Sequence, residues 1–160
     1  MGEAFAARVA AVLAEAGLSG DALEVEITER MLMDDLDAVR ATLTELKALG
    51  VRVAIDDFGT GYSSLGHLKE LPIDKIKIDR SFVHDLPGNR DSSAITRAII
   101  QMGASLGLTV IAEGVETEEQ REFLTRHGCD QLQGLLIGPA LPAQAFEAWA
   151  RHQREMERRG

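Results

Sequence analysis

The chain has 160 residues, with 17 Lys and Arg against 26 Asp and Glu, a formal net charge of −9. That acidity excludes a general DNA or RNA binder, which needs a basic face against phosphates, and a composition of 45% apolar and 27% charged residues excludes a disordered chain. The single cysteine, Cys129, excludes an internal disulfide and points to a reducing, cytoplasmic setting, while no apolar run approaches the ~18 residues of a membrane segment.

The predicted elements alternate in chain order. Residues 3–16 place Phe5, Val9, Val12 and Leu13 at helical spacing, and Gly17 stops that helix. LEVEITE (23–29) reads as a strand. Asp34 or Asp35 caps a helix that runs through Leu49 to Gly50. VRVAIDDF (51–58) is the next strand, a short helix around 63–70 precedes Pro72, and KIKID (75–79) is the third strand. Asp91 opens a helix to about Leu106, and LTVIAEGVE (108–116) is the fourth strand. Thr117 caps a helix to about His127, DQLQGLLIG (130–138) is the fifth strand, and a last helix runs from Pro142 to about Arg158.

One domain of five strand–helix units follows a leading helix, and this order implies parallel pairing with right-handed crossovers. Leu23, Val25 and Ile27 oppose Glu24, Glu26 and Thr28, and Ile76 and Ile78 oppose Lys75, Lys77 and Asp79. A doubly wound sheet, covered on both faces, would read as continuous apolar runs instead. One greasy and one polar face fit a partial TIM-like (β/α) barrel with its chemistry at the C-terminal strand ends. A complete eight-unit barrel takes ~250 residues. Five units therefore make part of a barrel or one that another copy closes, and self-association is expected from the two unpaired edges.

Acidic residues gather where these strands end: Glu26 and Glu29, Asp56 and Asp57, Asp79, and Glu113 and Glu116, with Gln133 on the fifth strand. Carboxylates converging on one rim repel one another unless cations offset them. Oxygen ligands suit Mg²⁺, Mn²⁺ or Ca²⁺, and two metals ~3.5–4 Å apart form a clamp for displacement at phosphorus. Adjacent Asp56 and Asp57 could serve two such ions, with Lys77 steadying an attacking water or a phosphoryl oxygen. Gly59 and Gly61 in DDFGTGYSS (56–64) permit unusual backbone angles, Ser63 and Ser64 can cap the helix that follows, and Glu29 lies near enough to hold this mobile loop by hydrogen bonds.

EVEITE (24–29), DDFGTGYSSL (56–65), KID (77–79), AEGVET (112–117) and QG (133–134) resemble, in order and spacing, the EAL-domain cyclic di-GMP phosphodiesterases. The resemblance implies a modified (β/α)₈ barrel that hydrolyses cyclic di-GMP to linear pGpG with two Mg²⁺ or Mn²⁺ ions. It implies Glu26, Asp56, Asp57 and Glu113 as metal ligands, and Lys77, Glu113 and Asp57 as catalytic groups. Gln133 and Asp79 match substrate-binding positions, and Glu29, Gly59, Gly61 and Ser63 match a loop that couples metal binding to dimerisation. The Glu-Ala-Leu segment and the strand with a metal-binding asparagine would lie before Met1. Gln133-Gly134-Leu135 stands where the family usually has Gln-Gly-Tyr, and Pro139-Ala140 follows where Arg-Pro is usual. Three function classes follow: the phosphodiesterase itself, an incomplete module that binds metal or nucleotide or acts through protein contacts, and a fragment that assembles with a second copy.

Overall fold

The computed structural model describes residues 2–61 and 65–157, so Ser63 and Ser64 lie outside the described residues. Five parallel strands form one sheet in the order β1-β2-β3-β4-β5. They are β1 (Glu24–Thr28), β2 (Arg52–Phe58), β3 (Lys75–Ile78), β4 (Thr109–Glu113) and β5 (Gln131–Gln133). Helix α1 (Gly2–Ala16) precedes the sheet and packs on α3 (Leu36–Ala48). The remaining helices are α2 (Met31–Asp34), α4 (Leu65–Glu70), α5 (Arg80–His84), α6 (Arg90–Leu106), α7 (Glu118–Arg126) and α8 (Ala143–Glu157). None of the described helices is long and apolar enough to cross a membrane.

Strand alternation separates core from site. Val53, Ile55, Ile76, Ile78, Val110 and Ala112 are buried together with Leu43 and Leu46 of α3, Val83 of α5, Ile99 and Ile100 of α6 and Leu124 of α7. The residues between them, Ala54, Lys77 and Ile111, face the other side of the sheet, where charged groups gather toward the C-terminal strand ends. Low on that side, Lys75 Nζ pairs with Glu24 at 2.7 Å. At the N-terminal ends of the strands, carboxylates are occupied by backbone: Asp74 accepts from Val53 N and Lys47 Nζ, and Asp130 accepts from Val110 N.

Several boundaries differ from the predicted ones. Asn89 rather than Asp91 caps α6, its side chain accepting from Asp91 N at 2.9 Å and Ser92 N at 3.0 Å. For α3 the predicted alternative Asp35 is the cap, accepting from Ala38 N. The third strand stops at Ile78 because Asp79 turns its side chain to Ser81 N at 2.9 Å and opens the unforeseen short helix α5. The fifth strand ends at Gln133, five residues early. Beyond it the chain turns inward: Leu136 N donates to Val115 O, and Ile137 N and Gly138 N donate to Gly134 O. No ladder can continue through such a turn.

Candidate active site

The site is built on neighbouring strands. Lys77, near the end of the central strand β3, is only 4% exposed. Its ammonium lies 2.8 Å from Glu26 Oε1 of β1, 3.2 Å from Asp56 Oδ1 of β2 and 2.7 Å from Glu113 Oε1 of β4. Burial pulls an ammonium's pKa down, but the hydrogen bonds to Glu113 and Glu26 and the neighbouring Asp56 carboxylate outweigh it, so the Lys77 pKa is raised above the ordinary lysine value. One cation thus holds three carboxylates from three strands.

Asp57 stands beside this group. Consecutive residues of a regular strand point to opposite faces, which would separate Asp56 from Asp57. A β-bulge prevents that. Ile55 pairs with Ile76 and Phe58 with Ile78, so β2 spends one more residue than β3 over the same interval. Asp57 takes a left-handed backbone, φ 54°, which aspartate tolerates better than most side chains. Carboxylate oxygens of Asp56, Asp57 and Glu113 consequently lie within 4.8 Å of one another. Partial burial, the charge of Asp56 and a hydrogen bond shared with Asp79 push the Asp57 carboxyl above its usual range. Burial acts upward on Asp79 as well, but the Ser81 hydroxyl and N–H and the bond to Asp57 hold it below the usual range.

These residues fit a hard divalent cation. All three groups are oxygen donors, and Asp56 Oδ1 is buried with no aligned hydrogen bond, the Lys77 contact at 3.2 Å being an ion pair. Glu26 is not within that threefold group and reaches it through Lys77.

The other predicted positions surround this centre. Glu29, 3% exposed, accepts from Gly59 N and Gly61 N, both at 3.0 Å, across the mouth of the site. A Cβ on Gly61 would stand 3.0–3.2 Å from that carboxylate, so the loop approaches Glu29 as closely as a residue without a side chain allows. Gln133 is exposed and register-paired with Glu113. Asp79 caps α5 and lies close enough to Asp57 to raise its pKa. Ser63 lies outside the described residues. Sequence reasoning did not single out Gln120, a buried amide in the first turn of α7, although the Thr-x-x-Gln spacing after Glu116 is its signal.

A parallel strand–helix sheet with a carboxylate rim at the strand C-termini is the architecture of (β/α)-barrel enzymes. The sequence pattern of the EAL domain matches residues 1–140, and the chain belongs to the EAL domain family. It is 52% identical over 126 residues to the bifunctional diguanylate cyclase/cyclic di-GMP phosphodiesterase MucR of Pseudomonas aeruginosa, covering 79% of this chain and 18% of MucR. It superposes on the PaMucR phosphodiesterase in complex with c-di-GMP with a TM-score of 0.84 at 48% identity, covering 86% of this chain and 56% of that one. The EAL domain of Mycobacterium smegmatis DcpA gives a TM-score of 0.86 at 44% identity, over 92% of this chain and 66% of that one. This chain therefore spans about a fifth of MucR and somewhat over half of the solved domains, and its fold is a partial EAL-type barrel. Klebsiella pneumoniae BlrP1, similar at 40% identity and a TM-score of 0.72 over 78% of this chain and 32% of that one, was solved as a manganese/c-di-GMP complex.

Proposed function

We propose that this chain supplies one wall of a metal-dependent cyclic di-GMP phosphodiesterase site. The observation that carries the reading is the Asp56–Asp57–Glu113 group, with one buried oxygen lacking an aligned hydrogen bond and the Lys77 ammonium beside Asp56 and Glu113. Asp56, Asp57 and Glu113 hold Mg²⁺ or Mn²⁺, with Glu26 joining from the neighbouring strand. When bound, two such ions supply positive charge at the attacking and leaving oxygens of a phosphodiester. A chain of net charge −9 also needs that charge to admit an anionic dinucleotide.

The chain's own groups orient the reactants. Lys77 offers its N–H donors to the attacking water or a phosphoryl oxygen. Glu113 and Asp57 border the water and fix its direction by accepting hydrogen bonds from it. Gln133 and Asp79 face the nucleotide. Glu29 holds the Gly59–Gly61 loop over the mouth, with Ser63 further along that loop. Incubation with cyclic di-GMP and Mn²⁺, followed by chromatography, tests the reading: linear dinucleotide is expected, and none from Asp56→Ala. Absence of product from the unaltered chain refutes catalysis by this chain.

A second reading is favoured by the sheet itself. Among the described residues β1 and β5 each pair on one side only, so this cytoplasmic domain self-associates or docks another segment through those edges. Nucleotide retention without turnover, in an oligomer seen by sedimentation, supports a binding module of this kind.

A further inference from the structure

The β4–α7 loop, residues 114–117, carries no described metal ligand, yet it is fixed from three directions. Towards β5, Val115 N donates to Gln133 O and Leu136 N donates to Val115 O, both at 3.0 Å. Towards the start of α5, Gly114 lies so close to Arg80 that a Cβ would stand 2.8 Å from the Arg80 Cβ. Towards the helix layer, Gln120 holds it. Its Oε1 accepts from Glu116 N at 2.7 Å and Thr117 N at 3.0 Å, and its Nε2 donates to His84 O, at the end of α5, at 3.2 Å.

Gln120 is 3% exposed. The Thr117 hydroxyl already accepts from Gln120 N at 3.3 Å, and the Gln120 carbonyl completes the helix cap. The amide group donating to α5 is extra to capping. It ties Glu116 and Thr117, three and four residues after Glu113, to the helix that Asp79 caps. The loop that follows Glu113 and the helix that follows β3 are thereby held in one frame.

We infer that Gln120 is a positioning residue for Glu113, bracing the β4–α7 loop against α5 so that the Glu113 carboxylate stays beside Asp56 and Asp57. The inference rests on the metal-site reading above. The planar amide presents an acceptor to the loop and a donor to His84 at once. Glutamate at neutral pH retains the acceptor and loses the donor; methionine loses both. Partners behind a metal ligand change affinity by ~10–100-fold when removed.

The test is Mn²⁺ titration of the whole chain, with Tb³⁺ luminescence lifetimes in H₂O and D₂O counting water on the ion. Gln120→Met and Gln120→Glu are expected to weaken Mn²⁺ binding ~10-fold or more and to add a water on Tb³⁺. Thr117→Val removes part of the same cap, at ~1 kcal/mol of stability, and is expected to leave affinity unchanged. In a double-mutant cycle, Gln120→Met adds no further loss once Glu113→Gln is present. Full additivity, or equal losses from Thr117→Val and Gln120→Glu, overturns the brace. If Gln120→Met fails to fold, Gln120→Glu, which keeps the cap, carries the same comparison. An unaltered chain that binds no Mn²⁺ overturns the metal site and this inference together, whereas normal binding in every Gln120 variant overturns the brace alone.

Discussion

Replacing Lys77 by methionine keeps the unbranched apolar stem, one atom shorter, and removes its charge. Three carboxylates then face one another without their common cation, at oxygens now 2.7–3.2 Å from the ammonium. Breaking a fully buried ion pair costs ~3–5 kcal/mol. Here the acids retain solvent, with Glu26 45%, Asp56 24% and Glu113 18% exposed at the side chain. Screening reduces the expected loss to ~2–3 kcal/mol. For a domain of this size that is a fall of ~5–10 °C in melting temperature, read by calorimetry in chelator. Millimolar Mn²⁺ should restore much of the loss, because the ion binds only the folded cluster, so the metal-induced shift is larger in Lys77→Met than in the parent. The titration has a definite sign. A lysine pKa raised in the folded state contributes stability that is whole below its unfolded value, 10.5, and is lost as pH rises through the folded value. Melts above pH 10.5 should therefore erode the parent and close the gap to Lys77→Met. Equal stability of the two proteins at pH 7 without metal would refute the account of Lys77 as the cluster's counter-charge.

Other substitutions probe the surrounding geometry. Glu29→Ala removes the acceptor of Gly59 N and Gly61 N and should cost ~2 kcal/mol, with faster hydrogen exchange confined first to residues 57–61. Asp57→Asn retains a side chain suited to positive φ and relieves repulsion from Asp56. It should hold or raise metal-free stability by up to ~1 kcal/mol while lowering the thermal response to Mn²⁺. Gly134→Ala drives a Cβ to 2.2 Å from Val115 O, a backbone atom that cannot step aside, and should cost ~3 kcal/mol in a denaturant melt.

The helix–strand order and the polar inner face were legible because each rests on local periodicity. Thr117 as a cap and the apolar sets on β1 and β3 needed only their neighbours in sequence. The fifth strand did not stop where its residues suggested: Leu135, Leu136 and Ile137 look like strand, but Leu136 N is taken by Val115 O, a contact 21 residues away. Likewise Asn89 and Asp91 are both good caps by chemistry, and only the entry path of the chain selects Asn89. Adjacent Asp56 and Asp57 could be read as a pair, but the bulge that turns both toward Glu113 depends on the register against β3. Gln120 was visible only as the last letter of a capping box; its reach to His84 joins elements 36 residues apart.

The irregular step in β2 has an evolutionary consequence. Deleting one residue between Ile55 and Phe58 would give a smoother ladder against β3, yet the residue lost would be one of the two aspartates, and the site would keep a single carboxylate on that strand. Sequence drift toward an easier strand is thus drift away from chemistry, and the fault in the weave is what must be inherited.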